Sequence, residues 1–510
     1  MPVQVGEPLT LDDVVAVARG AEVAFPAAAR TRVEASRAVI ERAVAAGDTV
    51  YGVTTGFGAL ADTRIDPSQA SELQHGIVRS HATAVGRPLS REEARAMLLL
   101  RAHVLALGCS GVRPVLIDLM VEMLNRDVTP VVPEQGSLGA SGDLAPLANL
   151  ALPLIGRGEV LAADGPGHDP AGEAFARAGL TPLTLEAKEG LALVNGTQGM
   201  LSIGVLAADR VLRLARTADV VAAMTIEAAM GTDAPFDERL QRLRPHPGQA
   251  ASSANLRTLL AGSPILASHR ESPHLVQDAY SLRCAPQVHG AVRDAHTYAA
   301  GVLAIEANAV SDNPIVLTES GEVRSGGNFH GMPVAIALDT LAAATVSLAS
   351  ISERRLYRLT DPAMSNGLPP FLVNASGLNS GFMLVQYTAA SLVSECKTLA
   401  HPASVDSIPS SAGQEDHVSM GMTAARHARE IVGNAEMVLA LEALAAAQAV
   451  DLRSPLEAGP ATRAVHEAVR ADVAVYEADR EFTHDIAAAA VLVRSGALLN
   501  AAEGACGPLR

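Results

Sequence analysis

The segment Gly136-Ser137-Leu138-Gly139-Ala140-Ser141-Gly142-Asp143 sets a serine between two small residues. Such a backbone can react with itself. Gly142 has no side chain and reaches conformations closed to other residues. Its amide nitrogen can then approach the carbonyl carbon of Ala140. Attack closes a five-membered ring. Loss of one water from the ring, and of the Ser141 hydroxyl as a second, leaves an exocyclic methylidene. That group is a strong electrophile, and none of the twenty side chains supplies a good one. A chain that makes it is equipped to act on an amine or another nucleophile. The same residues are also ordinary turn chemistry, since Ser and Asp cap helices and Gly opens turns. Taken alone, the segment leaves both readings open.

Other residue types add to the first reading. Arg283 carries a guanidinium that can grip a carboxylate bidentately. A structural ion pair is an equal account of it on sequence alone. Asn195, Gln277 and Tyr280 are polar residues within apolar blocks, where they can satisfy buried backbone or face a ligand. Glu415 lies in Gln414-Glu415-Asp416-His417 and could be a helix-start acid favoured by the macrodipole. Tyr51 opens a β-prone piece and could simply pack in a core. Phe329 and Met383 are of types that usually do so. His81, in Arg79-Ser80-His81-Ala82, stands alone. The 15 histidines include no H-x-x-x-H with a carboxylate partner and no cysteine–histidine cluster, so no metal site is expected. Gly56-Phe57-Gly58-Ala59-Leu60-Ala61 imitates a dinucleotide fingerprint, but no βαβ unit surrounds it. It reads as a loop able to close over a site.

The elements that must position these groups are mostly helices. Leu201–Met230 is periodic, with Asp209, Arg210, Arg213, Arg216 and Asp219 on its polar side, and Gly231 and Pro235 stop it. Gln287–Ala309, Ala335–Arg354, Gly381–Leu399 and Val418–Val450 also read as long helices. The last has little polar surface after Met437 and is expected to be buried. Thr49–Thr55 and Val128–Val132 are β-prone but do not alternate with helices. Glu159–Gly190 reads as a surface excursion with one short helix. The fold expected is mainly α: a mixed N-terminal part, residues 1–193, carrying the reactive loop, then a long-helix bundle, residues 194–510.

Composition narrows the partners. With 49% hydrophobic residues in 510, a large core can form, and only 3% aromatics suggests close packing on small side chains. The net charge of −16 argues against nucleic acid and anionic membrane surfaces. Cys109, Cys284, Cys396 and Cys506 are widely spaced, as expected of reduced thiols in a cytoplasm. The N-terminus has neither the basic nor the apolar region of a signal peptide. Ala363–Ser394 is uncharged but holds Pro369, Pro370, Asn374 and Asn379, and does not read as a membrane span.

The block Gly136–Ala148 (GSLGASGDLAPLA) resembles the prosthetic-group loop of the aromatic amino acid ammonia-lyases. Tyr51–Gly58 (YGVTTGFG), Glu189–Gln198 (EGLALVNGTQ), Val276–Gln287 (VQDAYSLRCAPQ), Glu306–Pro314 (EANAVSDNP), Gly326–His330 (GGNFH) and Gln414–Met420 (QEDHVSM) resemble that family in order and spacing. The resemblance runs from Tyr51 to about Arg453 and is nearest to the histidine-specific branch. It implies that Ala140-Ser141-Gly142 becomes 4-methylideneimidazol-5-one (MIO) without external cofactor. It also implies a homotetramer with active sites shared between subunits, and elimination of ammonia from L-histidine to give trans-urocanate. By the same resemblance, Tyr51 takes the β-proton and Arg283 holds the carboxylate. Glu415 and His81 position the imidazole, and Asn195, Gln277 and Tyr280 surround the prosthetic group and substrate. Phe329 stacks near the ring and Met383 packs on the electrophile. Three positions depart from the pattern: Thr83-Ala84 before Val85, Asn149 where histidine is common, and Tyr387 after Met383. Alternatives within the family are a tyrosine or phenylalanine ammonia-lyase or an aminomutase. Outside it stands a non-catalytic helical scaffold, whose mass would show no loss of two waters.

Overall fold

The computed structural model describes residues 1–58, 63–163, 165–271 and 276–510. Helices dominate, and the described strands form only two-stranded pairs, as the mainly α expectation requires. The long helices lie close to their expected positions, at Gln198–Ala228, Ala285–Ala307, Met332–Thr360, Met383–Leu399 and Gly421–Asp451. Gly231 and Pro235 fall just past the first of them, after Met230 turns into the left-handed region at φ 56°.

Two β-prone pieces behave otherwise. Thr49–Thr55 is a turn, not a strand. Val53 N and Thr54 N both donate to Val50 O, at 3.1 and 3.0 Å, and Thr54 Oγ1 donates to Asp48 O at 2.7 Å. A threonine hydroxyl competing for backbone partners overrides β propensity here. Val128–Val132 makes only an isolated bridge, Pro130 to Val160. Glu159–Leu161 pairs antiparallel with His168–Pro170, a hairpin the composition of that stretch does not announce. It precedes the expected short helix, Ala171–Ala178.

The chain forms two compact units. The first comprises 1–206, 299–339 and 402–426, and the second 207–298, 340–401 and 427–510. The division falls inside four helices, whereas the sequence suggests one boundary near Val194, four residues before Gln198–Ala228 begins. In the first unit, Leu11–Ala18 and Arg91–Ala106 each start with a capping box, Thr10 with Asp13 and Ser90 with Glu93. Every residue of the latter helix from Glu93 to Ala106 is buried, so it forms the apolar heart of this unit. The second unit packs Pro460–Asp472 against Ala497–Cys506. By length and composition Met332–Thr360 would suffice to cross a membrane, but most of its apolar stretch is buried within the protein.

Candidate active site

The reactive segment lies in the first unit, between the strand Pro133–Gln135 and the helix Leu144–Ala151. Its flanks are pinned. Ser137 Oγ donates to Asp143 Oδ1 at 2.7 Å, and Met200 N donates to Asp143 Oδ2 at 2.8 Å. Asp143 therefore sits at the N-terminus of Gln198–Ala228, where free amides and the helix dipole favour a carboxylate. Burial nevertheless pushes its pKa up to about 6, against those donors. On the other side, Met420 N donates to Leu138 O at 2.9 Å and Ser419 Oγ to Gly139 O at 3.0 Å.

Gly142 is held at φ +76°, and it bridges to Gly196. A Cβ at Gly142 would overlap the Gly196 carbonyl oxygen, so only glycine fits. That oxygen accepts from Asp143 N at 2.7 Å. Ala140 is buried and Ser141 is half-buried, with both facing a cavity of about 1160 Å³.

The cavity gathers residues from five separate stretches of chain: Tyr51, His81, Asn195, Phe329 and Glu415 line it beside Ala140 and Ser141. Ser141 Oγ donates to Glu415 Oε1 at 2.8 Å, and Ser410 Oγ donates to Glu415 Oε2 at 2.8 Å. The Tyr51 hydroxyl accepts from Gly58 N at 3.0 Å, and its ring meets Phe57 edge-on at 6.5 Å. His81 ends the helix Ala70–His81 and pairs through Nδ1 with Ser80 Oγ at 3.0 Å. Burial holds its imidazole below the ordinary range, with Glu415 pulling the other way. Asn195 is anchored by Nδ2, which donates to Asn313 O at 2.9 Å. Its Oδ1 is buried and has no partner among the described residues. A buried acceptor with a spare valence at a cavity wall is suited to a ligand N–H.

These observations fit a ring built from Ala140-Ser141-Gly142. Gly142 is left-handed, Gly196 leaves room there for no side chain, and no described residue pairs with the Asn195 oxygen. Of the Gly56–Ala61 loop, Ala59, Leu60 and Ala61 lie outside the described residues.

Gln277, Tyr280, Arg283 and Met383 belong to the second unit, and none of them lines this cavity. Tyr280 is exposed, and the Arg283 guanidinium lies 4.6 Å from its ring centroid. Arg283 and Gln277 line a hollow of their own with Gln249 and Gln287. There Arg283 Nε and Gln287 Oε1 are buried without partners among the described residues. Met383 begins the helix Met383–Leu399.

Several lining residues carry no sequence signal of their own. Ser410 is one. His330 and His417 stack with ring centroids 5.9 Å apart; the sequence offers them only as members of the blocks Gly326–His330 and Gln414–Met420, with no role of their own.

The family model described as aromatic amino acid lyase matches residues 9–471. The chain belongs to the aromatic amino acid lyase family, and it is an ammonia-lyase. It is 55% identical to a histidine ammonia-lyase of Sorangium cellulosum, over 99% of both chains. It is also 55% identical to one of Gloeobacter violaceus, over 98% of this chain and 97% of that one. Among solved structures, a tyrosine aminomutase from Streptomyces globisporus superposes with a TM-score of 0.94 at 40% identity, covering all of both chains. A histidine ammonia-lyase from Trypanosoma cruzi gives 0.91 at 43% identity, covering 99% of this chain and 95% of that one. Within the family, the cavity beside Ser141 is the candidate catalytic centre.

Proposed function

We propose that this lyase removes ammonia from L-histidine without oxidation to give trans-urocanate, the first step of histidine degradation. The observation that carries the reading is the meeting of Ser141, Glu415, His81 and Tyr51 at one cavity. Full-length similarity to histidine ammonia-lyases supports it. An MIO group made from Ala140-Ser141-Gly142 supplies an electrophile that turns the substrate amine into a better leaving group.

The chain's own residues do the rest. Tyr51, whose hydroxyl accepts from the Gly58 amide, takes the β-proton in this reading. Glu415 and His81 orient the imidazole. Burial favours the neutral form of His81, which lets it pair with a neutral ring. The free Asn195 oxygen accepts an N–H from the bound molecules. Phe329 supplies an apolar wall.

Arg283, with its planar donors, suits the substrate carboxylate. Because Arg283, Gln277, Tyr280 and Met383 do not line the Ser141 cavity of their own chain, the reading assigns them to the site of a neighbouring subunit. The functional form is then a homotetramer with shared sites, working in the cytoplasm on a small amino acid.

The deciding experiment is an ultraviolet assay of purified protein without added cofactor, on L-histidine, L-tyrosine and L-phenylalanine in parallel. Urocanate from histidine alone is the expected result. Cinnamate or coumarate as the main product would overturn the substrate. A β-amino acid would convert the reading to an aminomutase, which the fit to a tyrosine aminomutase makes worth assaying.

A further inference from the structure

Glu415 stands on an unusual turn. Ser410 and Glu415 bridge antiparallel, with Ser410 N donating to Glu415 O at 2.8 Å. Between them Ser411, Ala412 and Gly413 are consecutively left-handed, at φ 51°, 53° and 86°. Two of these are not glycine, a costly arrangement that persists only where its surroundings enforce it. The result is that the Ser410 side chain returns onto the carboxylate five residues later, its hydroxyl 2.8 Å from Oε2. The other oxygen, Oε1, accepts from Ser141 at 2.8 Å.

These two partners have different fates. Ring formation expels the Ser141 hydroxyl as water, taking with it the proton donor to Oε1. Ser410 is untouched. The mature site therefore keeps one carboxylate oxygen anchored and frees the other toward the cavity. The same turn braces the opposite wall. Gly58, whose amide holds the Tyr51 hydroxyl at 3.0 Å, lies so close to Ser411 that a Cβ on it would clash with the Ser411 hydroxyl.

We propose that Ser410 is a positioning residue of the reaction: its hydroxyl holds Oε2 of Glu415 so that Oε1, released by loss of the Ser141 hydroxyl, is presented to the substrate. This rests on the reading of Glu415 as a substrate-facing group. A carboxylate anchored by a single charge-assisted hydrogen bond gains a defined rotamer, and removal of such a bond typically costs about tenfold or more.

The test compares wild type, Ser410→Ala and Ser410→Thr on L-histidine, L-tyrosine and L-phenylalanine, with intact mass and melting temperature measured on each protein. Ser410→Ala is expected to lose the mass of two waters like wild type and to melt with it. Its kcat should fall about tenfold or more, with a smaller change in KM. Ser410→Thr keeps the hydroxyl and should recover to within about threefold of wild type. The proposal is overturned by wild-type kcat in Ser410→Ala, or by a Ser410→Thr protein as slow as the alanine variant. An alanine variant that retains both waters also overturns it, because the hydroxyl would then serve ring formation. A wild type active on another amino acid but not on L-histidine overturns the substrate reading alone, and the Ser410 comparison is then decided on the amino acid turned over. A wild type inactive on all three overturns both.

Discussion

Two carboxylates, one in each unit, show opposite uses of the same chemistry. Glu442, in the second unit, is fully buried and accepts from Arg355 Nε at 2.5 Å, Arg355 Nη2 at 2.8 Å, Thr225 at 2.7 Å and Ser352 at 2.6 Å. Asp219 nearby is saturated in the same way, by His289, Arg293, Ser252 and Asn255. His289 Nε2 faces Arg355 Nη1 at 3.3 Å, so the two clusters form one network. Glu415, in the first unit, has two serine donors among the described residues, Ser141 and Ser410, and the proposed ring formation would remove the first. The Asn195 oxygen, on the wall of the same cavity, has none among the described residues. A buried charge with every lone pair occupied fixes a structure. A polar group with a valence left over is reserved for something that arrives later. The difference lies in the number of donors supplied, not in residue type.

The largest effect expected is at the unsaturated region. Ser141→Ala cannot form the electrophile and should lose about a thousandfold or more in turnover, about 4 kcal/mol of barrier. Its melting temperature should not fall, because Ser141 contributes one half-buried hydroxyl contact. Kinetics and calorimetry on one preparation check both halves. An alanine protein that still makes urocanate at the wild-type rate would sink the mechanism.

The saturated region should respond the other way. Arg355→Ala strips Glu442 of two donors and leaves a buried charge, at a cost of about 3–5 kcal/mol of stability. Urea unfolding of wild type and variant measures it, and intact mass asks whether the ring still forms. An unchanged transition would mean that water or a rearranged side chain replaces Arg355, and the contrast between the two regions would lose its basis.

Asp143 tests the comparison within the reactive loop. Burial raises its folded pKa from 3.8 to about 6. Between those values the folded state holds a proton that the unfolded state has released. Stability from this group is therefore full below pH about 4, is lost as pH rises through about 6, and is flat above. The size is about two pK units, or roughly 3 kcal/mol. Measured in a Ser141→Ala background, so that ring formation does not intrude, the pH trend should disappear on adding Asp143→Asn. Parallel pH curves for the two proteins would show that Asp143 does not titrate there.

Much of this was legible in the sequence, because it rests on local chemistry. Gly142 stands out for its access to conformations closed to other residues, and it takes one of them, at φ +76°. The helix stop after Met230 was written in Gly231 and Pro235. The meeting of Tyr51, His81, Asn195, Phe329 and Glu415 could be expected only from the family resemblance, since no periodicity links such separate stretches of chain. Ser410 could not be found that way. Its approach to Glu415 depends on consecutive left-handed residues, two of them Ser and Ala, types that do not announce a positive φ. Thr49–Thr55 misled because its threonine hydroxyls bind backbone oxygens instead of packing on a sheet. The division into two units escaped as well, because it cuts through continuous helices whose hydrophobic period does not change at the cut.

The smallest expected effect concerns how finely the unsaturated region is tuned. Ser80 Oγ pairs with His81 Nδ1 at 3.0 Å, and the same hydroxyl lies 3.3 Å from Ile77 O. A hydroxyl has one proton to give. If that proton goes to Ile77 O, Ser80 must accept from His81, which places the histidine proton on Nδ1 and leaves Nε2 as an acceptor. Ser80→Ala removes this bias and one exposed hydrogen bond, a loss of about 0.5–1.5 kcal/mol. The KM for L-histidine should rise severalfold while kcat and the mass loss of two waters stay as in wild type. A fall in kcat with KM unchanged would instead place His81 in the chemical step, and its tautomer would then matter to proton transfer more than to holding the ring.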